Sequence, residues 1–381
     1  MCAASNIQDV PVPAAGRGDE DAFQRLVDRH RGELHAHCYR MLGSLHDADD
    51  ALQDTLLRAW RALPNFRGGS SFRTWLYRIA TNVCLDAIAR RTKRVLPIDY
   101  GPVMGPGDDE PDQPLADSLW IEPYPDGTLG VADGAAGPHA RYERREALEL
   151  AFIAALQHLP PRQRAVLILR DVLGFSAREA SEALDTTVPS VNGALQRARR
   201  AVDERVPERS QQATLRRLGD RRLREVVRRF VDAFERGEVD AILAVLAEDA
   251  TFGMPPYPGY RRGRAAIAHS WLMPGGPPPR LRYVHARANG QPALGTYQLE
   301  RERDGFVPLA LDVLTLRDDL IADVTVFRNP GIFPRFGLPA LVPAAPTLQG
   351  PLNRTSWMRT ARSSGRGRRL GSGRQPLARA A

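Results

Sequence analysis

At 381 residues, 43% of them hydrophobic, the chain is long enough for about two to four packed domains. A formal net charge of +8 favours a polyanionic partner, and three cysteines (Cys2, Cys38, Cys84) exclude a disulfide framework and suit a reducing cytoplasm. No basic-then-apolar leader opens the chain and no stretch nears the roughly 18 apolar residues of a membrane span, so the sequence reads as cytoplasmic, with no membrane partner.

Residues 1–18, rich in Ala, Gly and Pro, read as a flexible leader. A first helical module is expected over 19–96. Ala22, Phe23, Leu26, Val27 and His30 share one helical face, and a second helix covers Leu34 to Leu42. A third, Asp47 to Leu63, turns Ala48, Ala51, Leu52, Thr55, Leu56, Ala59 and Trp60 inward, and Asp50, Gln53, Asp54 and Arg58 outward. Asp47, Asp49 and Asp50 near its start suit the helix dipole. A Gly/Ser loop, Asn65 to Ser71, precedes a long helix with Phe72, Leu76, Ile79, Ala80, Val83 and Ala87 on its core side. Arg73, Tyr77, Arg78, Asn82, Asp86 and Arg90 project elsewhere, and Arg90, Arg91, Lys93 and Arg94 close the helix as a basic cluster. Aromatic rings interleaved with arginine suit stacking and phosphate contact on single-stranded DNA; rings at helical spacing equally suit a core.

Residues 97–140 form an acidic linker, free of Lys and Arg, with Trp120, Ile121 and Tyr124 as candidate anchors. A second helical module is expected over 141–208. After a helix from about Arg141 to His158, Pro160 and Pro161 open another, which ends at Gly174. Ser176 and Glu179 make a capping box. Asp185-Thr186-Thr187 turn the chain into a last helix that buries Val191, Leu195, Ala198 and Val202. Its outer face carries Ser190, Asn192, Gln196, Arg197, Arg199 and Arg200. Short helix, small turn and basic helix make a DNA-reading helix-turn-helix; a helical hairpin with a solvated basic face fits the same pattern.

A third module is expected over 212–340. An amphipathic helix (Leu223, Val226, Val227, Phe230, Val231, Phe234) and a shorter one, Val239 to Leu246, precede a strand, a proline-rich loop and a helix from about Arg264 to Trp271. The period then becomes two, predicting four antiparallel strands with turns at Asn289-Gly290, Asp304-Gly305 and Asp318-Asp319. Residues 341–381 read as a disordered basic tail, which from Ala344 contains no acid. His35, His37 and Cys38 tempt a metal reading, but the two histidines point apart on a helix and no second cluster completes a ligand set.

The phrases DADDALQDTLLRAW and FRTWLYRIATNVCLDAIARRTKR, in this order, closely resemble region 2 of the sigma-70 superfamily in its extracytoplasmic-function class. The stretch from Leu159 to Arg205 resembles region 4 of the same family. The resemblance implies two all-α modules and two partners, core RNA polymerase (beta-prime clamp helices and beta flap) and promoter DNA. It implies that Asp50, Gln53, Asp54 and Arg58 face the polymerase. Phe66, Arg67, Phe72, Arg78, Asn82 and Arg90 would serve the minus-10 element. Ser176, Ser190, Asn192, Gln196, Arg197, Arg199 and Arg200 would serve the minus-35 element. Two departures stand out: Asp185 where the family usually has glycine, and Asn192-Gly193-Ala194 where relatives often carry basic residues.

The third module resembles SnoaL-like domains, an α+β cone with a curved antiparallel sheet, over roughly Thr214 to Phe336. In that fold His269, Tyr283, His285, Tyr297 and Asp312 are candidates to line a small-molecule cavity. The resemblance implies a domain that modulates a sigma factor, with no catalytic residues, metal or cofactor. The alternative is a DNA-binding regulator fused to a ligand-sensing or isomerase/cyclase-type domain. The segment RNPGIFPRFGLP (residues 328–339) is expected to dock on the helical modules and bias them between compact and polymerase-ready forms.

Overall fold

The computed structural model describes residues 20–105, 108, 113–128, 146–271 and 280–344. The expected leader, part of the linker and the basic tail from residue 345 lie outside them.

The first module is three helices: α1 (Glu20–Leu42), α2 (Leu45–Ala62) and α3 (Phe72–Ile88). The two short helices expected at its start are one, because Gly32 stays helical; a mid-helix glycine costs only about 1 kcal/mol against alanine. Ser44 caps α2 by accepting from the Asp47 N–H at 3.0 Å, and Ser71 caps α3 from the Thr74 N–H at 3.0 Å.

The second module contains α4 (Leu150–His158), α5 (Pro161–Leu167), a π-helical turn (Ile168–Val172), α6 (Ala177–Ala183) and α7 (Val188–Asp203). The Ser176–Glu179 capping box is present, and Asp185 adopts φ 51°, the left-handed turn expected of it. Within the helix expected from about Arg141, Glu146 is helical, residues 147–149 break it and α4 begins at Leu150, the Glu149 carboxylate being engaged by the Gln211 N–H; residues 141–145 lie outside the described ones.

The third module opens on α8 (Gln211–Arg236), broken at Gly219 (φ 74°), then α9 (Val239–Val245). Strands β2 (Leu246–Gly253) and β3 (Tyr260–Arg262) and helix α10 (Arg264–Trp271) follow. The four predicted antiparallel strands are β4 (Leu281–Ala288), β5 (Gln291–Glu300), β6 (Gly305–Arg317) and β7 (Leu320–Phe327). Asn289, Asp304 and Asp318 turn them at positive φ. The sheet is mixed rather than wholly antiparallel, because β2 enters beside β7 in parallel. It also borrows β1 (Val103–Met104) from the acidic linker, which pairs with β3. A two-residue strand, β8 (Val342–Pro343), pairs with β6.

Alternation along the strands gives the sheet two buried faces. Leu294, Ala310 and Leu314 pack against Val226 and Phe230 of α8 and Ile267 of α10. Ala293, Leu311, Val313 and Phe327 join the same apolar core as both helical modules. The described linker is therefore not free: Trp120 is nearly inaccessible, and Ile121 and Tyr124 are wholly so.

Candidate nucleic-acid and partner interface

On α2 the side opposite the core presents Asp50, Gln53 and Arg58 to solvent, with Asp54 half-exposed. Arg58 joins Asp54 at 2.9 Å and Asp86 of α3 at 3.2 Å, so it fixes the two helices while staying on the surface. Leu57, which the sequence reading does not single out, is 49% exposed in the same stripe. Its place off the apolar repeat was the available signal.

The six residues expected at the minus-10 element divide. Arg67, Arg78, Asn82 and Arg90 are exposed. Phe66 is half-buried and Phe72 is 7% exposed, clustered with Trp75 at ring separations of 5.0–6.0 Å. Phe72 thus braces the loop from below and presents little of its ring to a base. Neighbouring Arg73 is turned to the second module, donating to the Leu173 carbonyl at 3.0 Å and lying over the Phe175 ring at 4.5 Å.

All seven residues expected at the minus-35 element are exposed. Ser176 is committed to its capping box. Arg199 forms a two-pronged pair with Asp171 at 2.7 and 2.8 Å, and Arg200 reaches Glu204 at 3.3 Å. Asn192, Gln196 and Arg197 stand exposed on the same face, and Arg197 makes no ion pair among the described residues.

The two helical modules touch directly. Arg164 of α5 is 4% exposed and spends its Nη groups on the Met41 carbonyl at the end of α1, the Gln157 side chain, and the Gln157 and Leu159 carbonyls at the end of α4. Two helix C-termini thus offset a buried cation, although burial still draws its pKa down to about 10. Arg40 Nε donates to the Ala147 carbonyl at 3.0 Å.

The third module locks this arrangement through one turn. Asn289, fully buried, accepts from the Tyr124 N–H at 2.8 Å and donates to Tyr39 Oη at 2.9 Å and the Leu148 carbonyl at 2.7 Å. One side chain therefore ties the β4–β5 hairpin to α1, to the linker and to the start of the second module. Nearby, Leu150 N–H donates to Gln291 Oε1 at 3.0 Å. Glu149 accepts from the Gln211 and Gln212 N–H groups at 2.9 and 2.8 Å; burial raises its pKa to about 7 despite these donors.

Residues 328–339 form a 3-10 turn (Pro330–Phe336) capped by Asn329 and closed by Gly337 at φ 66°. Phe333 packs edge-on against Tyr297, and Arg335 pairs with Asp49 of α2, next to Asp50. That pair is 56% and 31% exposed, so it adds little by itself; the buried Asn289 contacts carry more of the docking.

His35 bonds Tyr124 Oη at 2.8 Å and Asp49 at 3.1 Å, while His37 bonds Thr81 at 3.0 Å. Burial, with Arg40 and Arg73 nearby, lowers the His37 pKa to about 3. Both rings are structural. Among the described residues no cluster of His, Cys, Asp or Glu could hold a metal, and no helix is long and apolar enough to cross a membrane.

Of the residues expected in the third module's cavity, Asp312 is 5% exposed, accepts from Thr296 at 2.9 Å, and leaves its other oxygen without a partner. Burial raises its pKa to about 7. Tyr283 shares this side of the sheet, whereas Tyr297 points to the other, its hydroxyl on the Pro339 carbonyl. His285 is exposed and His269 half-buried.

Family models match at three places: sigma-70 region 2 over residues 26–94, sigma-70 region 4 over 149–202, and a SnoaL-like domain over 227–324. The chain is 41% identical over 341 residues to the ECF RNA polymerase sigma factor SigG of Mycobacterium tuberculosis, covering 87% of this chain and 89% of that protein. It is 31% identical over 188 residues to SigW of Bacillus subtilis, covering 49% and 89%. Among solved structures, that of the extracytoplasmic function sigma factor SigJ of Mycobacterium tuberculosis aligns over 81% of this chain and 97% of its own, at 22% identity and a TM-score of 0.48.

Proposed function

The chain belongs to the extracytoplasmic-function sigma factors of the sigma-70 superfamily, and from that premise we propose that it directs promoter-specific initiation by core RNA polymerase while its SnoaL-like domain holds it in a closed form. The α2 face of Asp50, Gln53, Asp54, Leu57 and Arg58 takes the beta-prime clamp helices. Region 4 takes the beta flap and the minus-35 element, and the α3 face with its preceding loop takes the minus-10 strand. The work is binding and strand separation; bond formation is the polymerase's.

The observation that carries the regulatory part is the direct packing of region 2 on region 4 through Arg73 and Arg164. The minus-10 and minus-35 elements lie about 25 base pairs apart, or about 85 Å along straight DNA. Two touching modules of this size span only about 60 Å. Engagement of both elements therefore requires the modules to part. In the closed form the α2 face remains open, so the SnoaL-like domain acts by restraining region 4 rather than by masking the clamp-binding helix.

Run-off transcription with purified core polymerase tests the proposal. The full chain should give promoter-specific transcripts, and the chain ended after Pro207 should give a markedly different yield. No transcript with either form, and no association with polymerase, would overturn it.

A second reading, a small-molecule site inside the SnoaL-like cone, is favoured by the unpartnered oxygen of Asp312. A ligand there would tune the same closed form.

A further inference from the structure

Where α3 ends and region 4 begins, a cleft of 380 Å³ separates the two modules. That volume lies in the range of about 300–1,000 Å³ typical of small-molecule sites. Its walls carry Arg91, Lys93, Arg94, His158 and Arg164, and Asp47 is the one carboxylate among its lining residues.

The charges do not balance. Asp47 is shared between Arg91 and Arg94, the latter at 2.7 and 3.2 Å, and Glu122, outside the cleft, stands 3.9 Å from Arg94, which still leaves Lys93 and Arg164 with only Asp99 nearby among the described residues. Burial tends to raise its pKa, but the two guanidinium groups outweigh it and hold the carboxyl ionised. Asp99, just outside, stands 3.3 Å from His158 Nε2, while His158 Nδ1 is 2.7 Å from Lys93 Nζ. Lys93 is destabilised as a cation by burial and by Arg164 and Arg205, with Asp99 opposing. Arg164 has no carboxylate within ion-pair distance among the described residues, and its buried Nε has no acceptor. Confined cations with too few counter-ions focus a positive potential, and Arg164, though its Nη groups reach carbonyls, has no carboxylate to neutralise its buried charge.

A group that settles this imbalance must bring several negative oxygens to walls contributed by different modules. Arginine forks match phosphate oxygens in particular. We infer that the cleft binds a small polyphosphate, either inorganic or the tail of a nucleoside di- or triphosphate, and that the bound anion clasps region 2 to region 4. The site stands on the geometry alone. The clasp rests on the proposed need for the modules to part.

Calorimetric titration of the full chain tests the site, with inorganic tripolyphosphate, a nucleoside triphosphate, and orthophosphate at matched ionic strength. Saturable one-to-one binding is expected, at least about tenfold tighter for tripolyphosphate than for orthophosphate. Tighter binding of the nucleotide than of tripolyphosphate would mean that the base contributes. The double variant Arg91→Gln, Lys93→Gln, at positions partly or largely exposed, should keep its circular dichroism and lose binding about tenfold or more. The arginine-rich tail is common to both proteins, so their difference reads the cleft. Equal affinity in the variant, no preference over orthophosphate, or displacement by a short non-specific duplex at lower concentration would overturn the site. For the clasp, tripolyphosphate at a hundred times its Kd should weaken polymerase association about a hundredfold in the parent and not in the variant. Binding with unchanged polymerase association would leave the site and remove the clasp.

Discussion

Replacing Asn289 by glycine removes one side chain at the point where region 2, the linker and region 4 meet the SnoaL-like domain. Glycine keeps the positive φ of 54° without strain, so the change isolates the hydrogen bonds. Tyr39 keeps the Glu122 carbonyl, 2.7 Å away, for its proton. The Tyr124 N–H and Leu148 carbonyl are left without their partner in a buried site. Each orphaned group costs about 1–3 kcal/mol, so the closed form should lose about 2–6 kcal/mol, with water entry favouring the lower end. Even about 2 kcal/mol shifts the closed-to-open ratio about thirtyfold. Spin labels on α2 (Arg61→Cys) and α7 (Asp203→Cys), exposed positions outside both proposed binding faces, report the distance between modules; Cys38 and Cys84 are buried, and Cys2 is replaced by serine. The glycine variant should gain a broad, long-distance population and bind core polymerase more tightly, with helicity unchanged. A narrow distance distribution identical to the parent's, together with unchanged polymerase affinity, would refute the assignment of Asn289 as the closing contact.

Asp312→Asn tests the buried carboxyl. With a folded pKa near 7 against an ordinary carboxylate value near 4, the native state holds the extra proton between those limits, so its contribution to stability is present at low pH and lost as pH rises toward 7. The variant escapes that loss, worth up to about 4 kcal/mol, and its Tm should exceed the parent's more at pH 8 than at pH 5; equal differences would deny the buried charge. Gly101→Ala should free the linker strand, because a Cβ there would stand 2.2 Å from the Gly259 nitrogen. Faster proteolysis within residues 95–128 measures it, and unchanged cleavage would speak against β1–β3 pairing. Arg197→Ala should weaken promoter binding by the polymerase complex uniformly across minus-35 sequences and reduce the salt slope by about 0.9, as for one lost phosphate contact. An unchanged slope with altered base preference would move Arg197 to base readout.

Local chemistry was readable from the residues alone. Ser176 with Glu179 announced a helix start, and Asp185, Asn289, Asp304 and Asp318 each turned the chain at positive φ as expected. The exposed faces of α2 and α7 followed from helical periodicity. Long-range partners were not readable. An Asn-Gly turn has the same sequence whether its amide faces water or, as here, bonds groups 141 to 250 residues away. Composition alone, acidic and rich in Gly and Pro, points to a flexible linker. Its order comes from Trp120, Ile121 and Tyr124, and from carboxylates such as Asp126, which pairs with Arg287 at 3.1 Å. Phe72 lies in the segment the resemblance points to, but the ring cluster that buries it depends on Phe66 folding back from the loop.

The apolar core shared by the helical modules and one sheet face has a bearing on how long the open form can persist. Separating the modules uncovers side chains such as Ile121, Leu148 and Phe327, which now see almost no water. If activation proceeds by the proposed opening, the activated molecule would resemble a partly unfolded one, attractive to chaperones, to proteases and to its own kind. Its lifetime would be set by how soon polymerase takes up the exposed surface, making capture by the enzyme, rather than release alone, the event that commits the cell to transcription.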